Sequence, residues 1–136
     1  MGTRADFYIG RGESAEWLGS IAWDGYPEGI DAPVTEASTE DGFRNAVLNF
    51  AAGRDDYTAP EQGWPWPWDT SHTTDYAYAF DEGKVWASCF GGEWFDATRP
   101  DDHPESNDNP AVFPDMSARK ATTVGRRSGV IVLGVK

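Results

Sequence analysis

The chain has 136 residues, enough for one domain, and its 23 acidic and 11 basic residues give a net charge of −12. That balance excludes a general nucleic-acid binder and a protein docked on anionic membranes, both of which need a basic footprint. Hydrophobic residues at 39% and aromatics at 14% exclude a chain too polar to fold, and no apolar run is long enough for a transmembrane helix.

Residues 5–10 and 16–23 read as two strands, rich in aromatic and β-branched side chains, with a turn at 11–14 that contains Gly12. Residues 24–33 hold two glycines and two prolines and read as a loop. The spacing then predicts a helix over 39–52, because Phe43, Ala46, Val47 and Phe50 recur at i, i+3, i+4 and i+7. Ser38 or Thr39 can cap it, Glu40 and Asp41 suit the positive end of its dipole, and Gly53 suits its exit.

Residues 54–73 form a long connection containing Trp64-Pro65-Trp66-Pro67-Trp68, where alternate prolines favour an extended path. Residues 74–80 and 84–90 read as a hairpin. A three-residue loop, Asp81-Glu82-Gly83, would put Tyr76, Tyr78 and Phe80 on one face with Lys84, Trp86 and Ser88. The opposite face, with its small alanines, would then receive the Phe43/Phe50 stripe; a two-residue turn would break that segregation. Residues 91–115 read as an irregular acidic loop, disordered over 100–110. Residues 116–125 suit one or two helical turns, and the apolar run 129–135 reads as a central final strand. The expected fold is a single α+β domain over 1–136, β-β-α-β-β-(α)-β, an antiparallel sheet with one main helix on one face.

The charge is uneven. Residues 1–115 hold every acid and six bases, a balance of −17, whereas 116–136 hold five bases and no acid. Either the basic segment lies across the acidic body, or Arg126 and Arg127 present an anion site.

Few residues offer catalysis. The hairpin would bring His72, Asp75 and the lone Cys89 near one another, as a thiolate nucleophile requires, yet a cysteine mid-strand among small apolar neighbours is inert. His103 sits in an acidic tract without the rigid spacing of a metal loop. No catalytic residue, metal or cofactor is expected. A single cysteine and an N-terminus without a signal-peptide layout point to a reducing cytoplasm.

Two segments suit binding. Trp64, Trp66 and Trp68 form either a hydrophobic lid on the sheet or a stacking surface for a base, sugar or proline-rich partner. In Trp23-Asp24-Gly25-Tyr26-Pro27-Glu28-Gly29, Asp24 and Tyr26 stand at a strand end. There Arg4 could hold an anion while Asp24 and Tyr26 select hydroxyls or ring nitrogens, or Arg4 and Asp24 could simply pair.

The opening Met1-Gly2-Thr3-Arg4 followed by that Trp-Asp-Gly-Tyr-Pro-x-Gly segment resembles a family of small bacteriophage and prophage proteins. The resemblance covers about the first 30 residues and implies an accessory protein that blunts host defence in the bacterial cytoplasm, with Arg4, Asp24 and Tyr26 as its functional positions. The leading expectation is a non-enzymatic domain that sequesters a small anionic or nucleotide-like ligand. Its site would be Arg4, Asp24 and Tyr26 with Trp64, Trp66 and Trp68, and an anion is also admissible at Arg126 and Arg127. Two alternatives stand beside it, an acidic protein-directed inhibitor or DNA mimic of a host defence complex and a small-molecule hydrolase. A site shared across a homo-oligomer would suit so short a chain.

Overall fold

The computed structural model describes residues 2–102, 104 and 109–120. Alternating apolar side chains make two adjacent strands, β1 (Ala5–Ile9) and β2 (Glu16–Ile21), an antiparallel pair whose register slips between Phe7 and Tyr8. The slip places one extra residue, Leu18, on the side of the helix, and Trp17 returns to the opposite face. A short helix α1 (Ala32–Thr35) precedes the main helix α2 (Glu40–Ala51). The cap of α2 is Thr39, whose hydroxyl accepts from the Gly42 N–H at 3.0 Å, and Gly53 takes the left-handed conformation (φ 85°) just past its end. Phe43, Ala46, Val47 and Phe50 are all buried, as their spacing requires.

The remaining strands are β3 (Tyr76–Asp81), β4 (Lys84–Cys89) and β5 (Phe95–Asp96), in the sheet order β2-β1-β3-β4-β5. The α+β class is as expected, but β1 and β3 run parallel, so the sheet is mixed rather than antiparallel throughout. The chain leaves β2 through α2 and returns on the far side of β1, which aligns β3 with β1.

The hairpin register also differs. The turn has two residues, Glu82 (φ 53°) and Gly83 (φ 80°), and Asp81 pairs with Lys84. Tyr76, Tyr78 and Phe80 therefore share a face with Cys89, Ala87 and Val85, not with Ser88, Trp86 and Lys84. It is this aromatic face that α2 covers, with Phe43 against Phe80 and Phe50 edge-on to Phe7 at 6.0 and 6.4 Å between centroids. The small-residue face, Ala77 and Ala79, lies under a second layer without a helix, made by the tryptophan segment and by Ala111, Phe113 and Met116.

Two expectations fall on other ground. Residues 91–115, read as an irregular loop, supply β5 and the buried Ala111 and Phe113. Residues 103 and 105–108 of the stretch 100–110, the run 121–125, the strand at 129–135 and both Arg126 and Arg127 lie outside the described residues. A 3-10 turn occupies Ser117–Arg119. Among the described residues no helix is long and apolar enough to cross a membrane.

Candidate functional site

The tryptophan-covered face encloses a carboxyl group. Asp6, the second residue of β1, is fully buried. Its Oδ1 accepts from Ser20 Oγ at 2.6 Å and from Trp66 Nε1 at 2.7 Å, and its Oδ2 accepts from Ser71 Oγ at 2.6 Å. An indole can only donate, so Trp17 Nε1 donates to Ser20, whose hydroxyl in turn donates to Asp6. Because Ser71 also donates to Asp6, the Tyr8 hydroxyl 2.6 Å from it must be the donor of that pair. Every proton in the network points at Asp6, the arrangement an acceptor-only carboxylate needs. Among the described residues no cation pairs with it. Burial pushes its pKa up, and the hydrogen bonds from Ser20, Ser71, Trp66 and Thr74 offset only part of that rise. The same burial, with the Asp6 charge beside it, pushes the Tyr8 phenol up as well.

The Trp-Pro-Trp-Pro-Trp run divides between the two roles open to it. Trp64 is closed off, 1% exposed, edge-on to Trp17 at 5.3 Å with its N–H donated to the Trp68 carbonyl. Its ring is therefore packed inside the domain and not offered to solvent. Trp66 and Trp68 are half-buried and stacked on each other at 5.7 Å, and Arg4 rests on both rings at 5.7 and 5.4 Å. Arg4 is thus beside two of the three tryptophans. Its charge is met by Asp75 at 3.4 Å, and the indole N–H groups of Trp66 and Trp68 are committed to Asp6 and Thr74.

The loop after β2 is held from below. Asp56 accepts from the backbone N–H groups of Ala22 and Trp23, both at 3.0 Å, and pairs with Arg54 at 2.7 Å. Burial alone would raise the Asp56 pKa, but Arg54 and the two amides outweigh it and hold the carboxyl below its usual range. Arg54 also donates to the Trp23 carbonyl and lies 3.7 Å from Asp24. Asp24 therefore pairs with Arg54 and Arg4 with Asp75; the two do not meet each other. Tyr26 is exposed.

Gly25 is set by close approach, since a Cβ there would lie 2.7 Å from the Thr3 carbonyl and 2.8 Å from the Ala5 Cβ. Its N–H donates to Thr3 and its carbonyl accepts from the Tyr78 hydroxyl. Gly25→Ala should cost about 1–3 kcal/mol in urea unfolding, because it must push the loop off β1; a variant as stable as the parent would refute that packing.

The cysteine trio does not assemble. His72 donates from Nε2 to the Ala111 carbonyl at 2.8 Å, and its Nδ1 lies 2.8 Å from the Thr70 hydroxyl. Asp75 serves Arg4, and Cys89 is hydrogen-bonded to the Tyr76 hydroxyl, whose pKa burial and that neighbour push up to about 12. Among the described residues no group of His, Cys, Asp and Glu could hold a metal ion. A concavity of about 230 Å³ lies between α2 and β2, lined by Leu18, Val47, Leu48, Tyr57 and Pro60, and another of about 170 Å³ lies by Pro27, Glu28 and Thr98. Neither includes Arg4, Asp24 or Tyr26.

Asp6, Ser71 and Asp56 matter here and are not marked out by the sequence. The available signal for Asp6 was a charged residue inside a strand, with a tryptophan-rich segment available to cover its face. No family model, curated protein or solved structure matches the chain.

Proposed function

We propose that the chain is a non-enzymatic binding module directed at a basic protein surface, an acidic inhibitor or nucleic-acid mimic in type. The observation that carries this reading is how the charges are paired. Arg4, Arg11, Arg44, Arg54, Lys84 and Lys120 each pair with a carboxylate of the chain itself. Glu13, Glu28, Asp31, Glu36, Asp41 and Asp55 remain exposed. The field offered to a partner is therefore negative, and it would steer a cationic surface toward the module. With the resemblance to phage proteins, the natural target class is a host defence protein that handles nucleic acid.

The test is competition. The purified chain should displace duplex DNA from members of a panel of bacterial nucleases and nucleoid proteins, and the displacement should fade between about 0.05 and 0.5 M salt. Retention of DNA by every member would sink the reading.

A second reading, a small anionic or nucleotide-like ligand, is favoured by one observation: Arg4, partly exposed, rests on the Trp66/Trp68 stack. It ranks second because Asp75 already neutralises Arg4 and the indole donors point inward. Quenching of tryptophan fluorescence by any of a nucleotide panel, absent in Arg4→Ala, would promote it over the first.

A further inference from the structure

All three exposed large aromatic side chains among the described residues stand at one end of the sheet: Trp23 (47%), Tyr26 (42%) and Phe90 (61%). There the ends of β2 and β4 flank the starts of β1 and β3. The backbone is continuous across them, from Gly25 N–H to the Thr3 carbonyl, Tyr76 N–H to the Arg4 carbonyl, and Phe90 N–H to the Asp75 carbonyl, at 2.8, 3.1 and 2.9 Å. Three strand spacings put Trp23 and Phe90 about 14 Å apart, within the central part of an ordinary protein interface. Val112, also exposed, follows Ala111, whose N–H donates to the Gly91 carbonyl beside Phe90.

We propose that this sheet end is the gripping surface for the basic partner, with Trp23, Tyr26 and Phe90 as its anchors and Asp24 and Glu28 meeting lysine and arginine side chains around them. The proposal rests on the reading that the partner is a basic protein and adds the place of contact.

The backbone gives independent support. Asp24 and Phe90 both hold positive φ, 64° and 53°. An aromatic side chain is disfavoured there by its own Cβ. Among the described residues Phe90 makes no ring contact that would repay it, and it points most of its surface at solvent, so the fold gains little from it. Strain of this kind gathers where a surface is shaped for something outside the chain. Tryptophan, tyrosine and arginine are also the side chains that dominate binding energy at interfaces. Beside these anchors Arg4 is immobilised between Asp75 and the tryptophan stack, so little of its side-chain freedom remains to be lost on docking. The charge at this end selects the partner. Arg4 is neutralised by Asp75, Asp24 lies beside Arg54, and Glu28 is exposed, leaving a negative rim around apolar rings.

A fluorescently labelled synthetic peptide composed of arginine, lysine and leucine serves as the probe, read by anisotropy against the whole chain. Phe90→Gly and Trp23→Ala should each weaken binding about tenfold or more, whereas Leu48→Ala, exposed on α2 away from this end, should bind as the parent does. Phe90→Gly should also melt at or above the parent temperature, since glycine accepts φ 53° without strain, which separates lost grip from lost fold. Salt-sensitive binding that is unchanged in both Phe90→Gly and Trp23→Ala would overturn the placement while leaving the charge reading intact. A parent chain that ignores the peptide at low salt would overturn the charge reading and the placement together.

Discussion

Asp6→Ala should leave the domain on the edge of unfolding. The substitution strands the donors of Ser20, Ser71 and Trp66 in a site without water access, and each orphaned buried donor costs about 1–3 kcal/mol. A loss of about 3–5 kcal/mol is a large share of the 5–15 kcal/mol that typically holds a domain together. Asp6→Asn keeps the shape and the Oδ1 acceptor of Ser20 and Trp66, but its amide can donate to Ser71 only if Ser71 turns its proton to Tyr8 and leaves the buried Tyr8 O–H without that acceptor, so it should cost about 1–3 kcal/mol, less than Asp6→Ala. The pair also differs in pH dependence. A carboxyl with a raised folded-state pKa holds its proton more tightly when folded. Its stabilisation is complete below the ordinary carboxylate range and is lost as pH rises through the folded value. Urea midpoints measured upward from pH 4 should therefore fall more steeply for the parent than for Asp6→Asn. Equal slopes would show that Asp6 titrates as an ordinary surface group.

Trp64→Ala is the second large effect. The ring is buried against Trp17, and its N–H secures the Trp68 carbonyl, so truncation opens a cavity and releases the lid. A loss of about 3–5 kcal/mol is expected, on the order of 10 °C in melting temperature for a domain of this size. Near-ultraviolet circular dichroism should collapse with it, since two stacked and two edge-on indoles share that layer. Trp68→Ala, half-buried from the start, should cost markedly less. Equal losses would mean that the lid acts through its prolines and not through the Trp64 anchor.

What the sequence made legible follows the physics of each element. Helix α2 was readable because its period, its Thr39 cap and its Gly53 exit all agree. The hairpin was readable as a hairpin but not in register: a type I′ turn needs positive φ at Glu82, and Glu-Gly does not announce it as Asn-Gly does. Phe90 escaped notice for the same reason, as nothing local marks an aromatic residue for the left-handed region. The parallel β1–β3 contact is non-local, and an alternating apolar pattern says which face is buried without naming the neighbour. At two residues, β5 is too short to give a period. Within the candidate site, the structure places Arg4 over Trp66 and Trp68, while its partner Asp75 and that of Asp24, Arg54, could come only from the assembled chain.

The parallel pairing of β1 and β3 has a bearing on synthesis. Strand β1 is among the first pieces of this sequence to leave the ribosome, yet its partner stands 71 residues further on, as the Arg4–Asp75 contact measures. At about 5–20 residues per second, the nascent β1–β2 hairpin waits roughly 4–14 s with one edge open and both apolar faces uncovered. High contact order slows folding for the same reason, since the loop must close before the pairing can repay it. Soluble yield should therefore depend on translation rate and on holding chaperones more than on the stability of the finished fold.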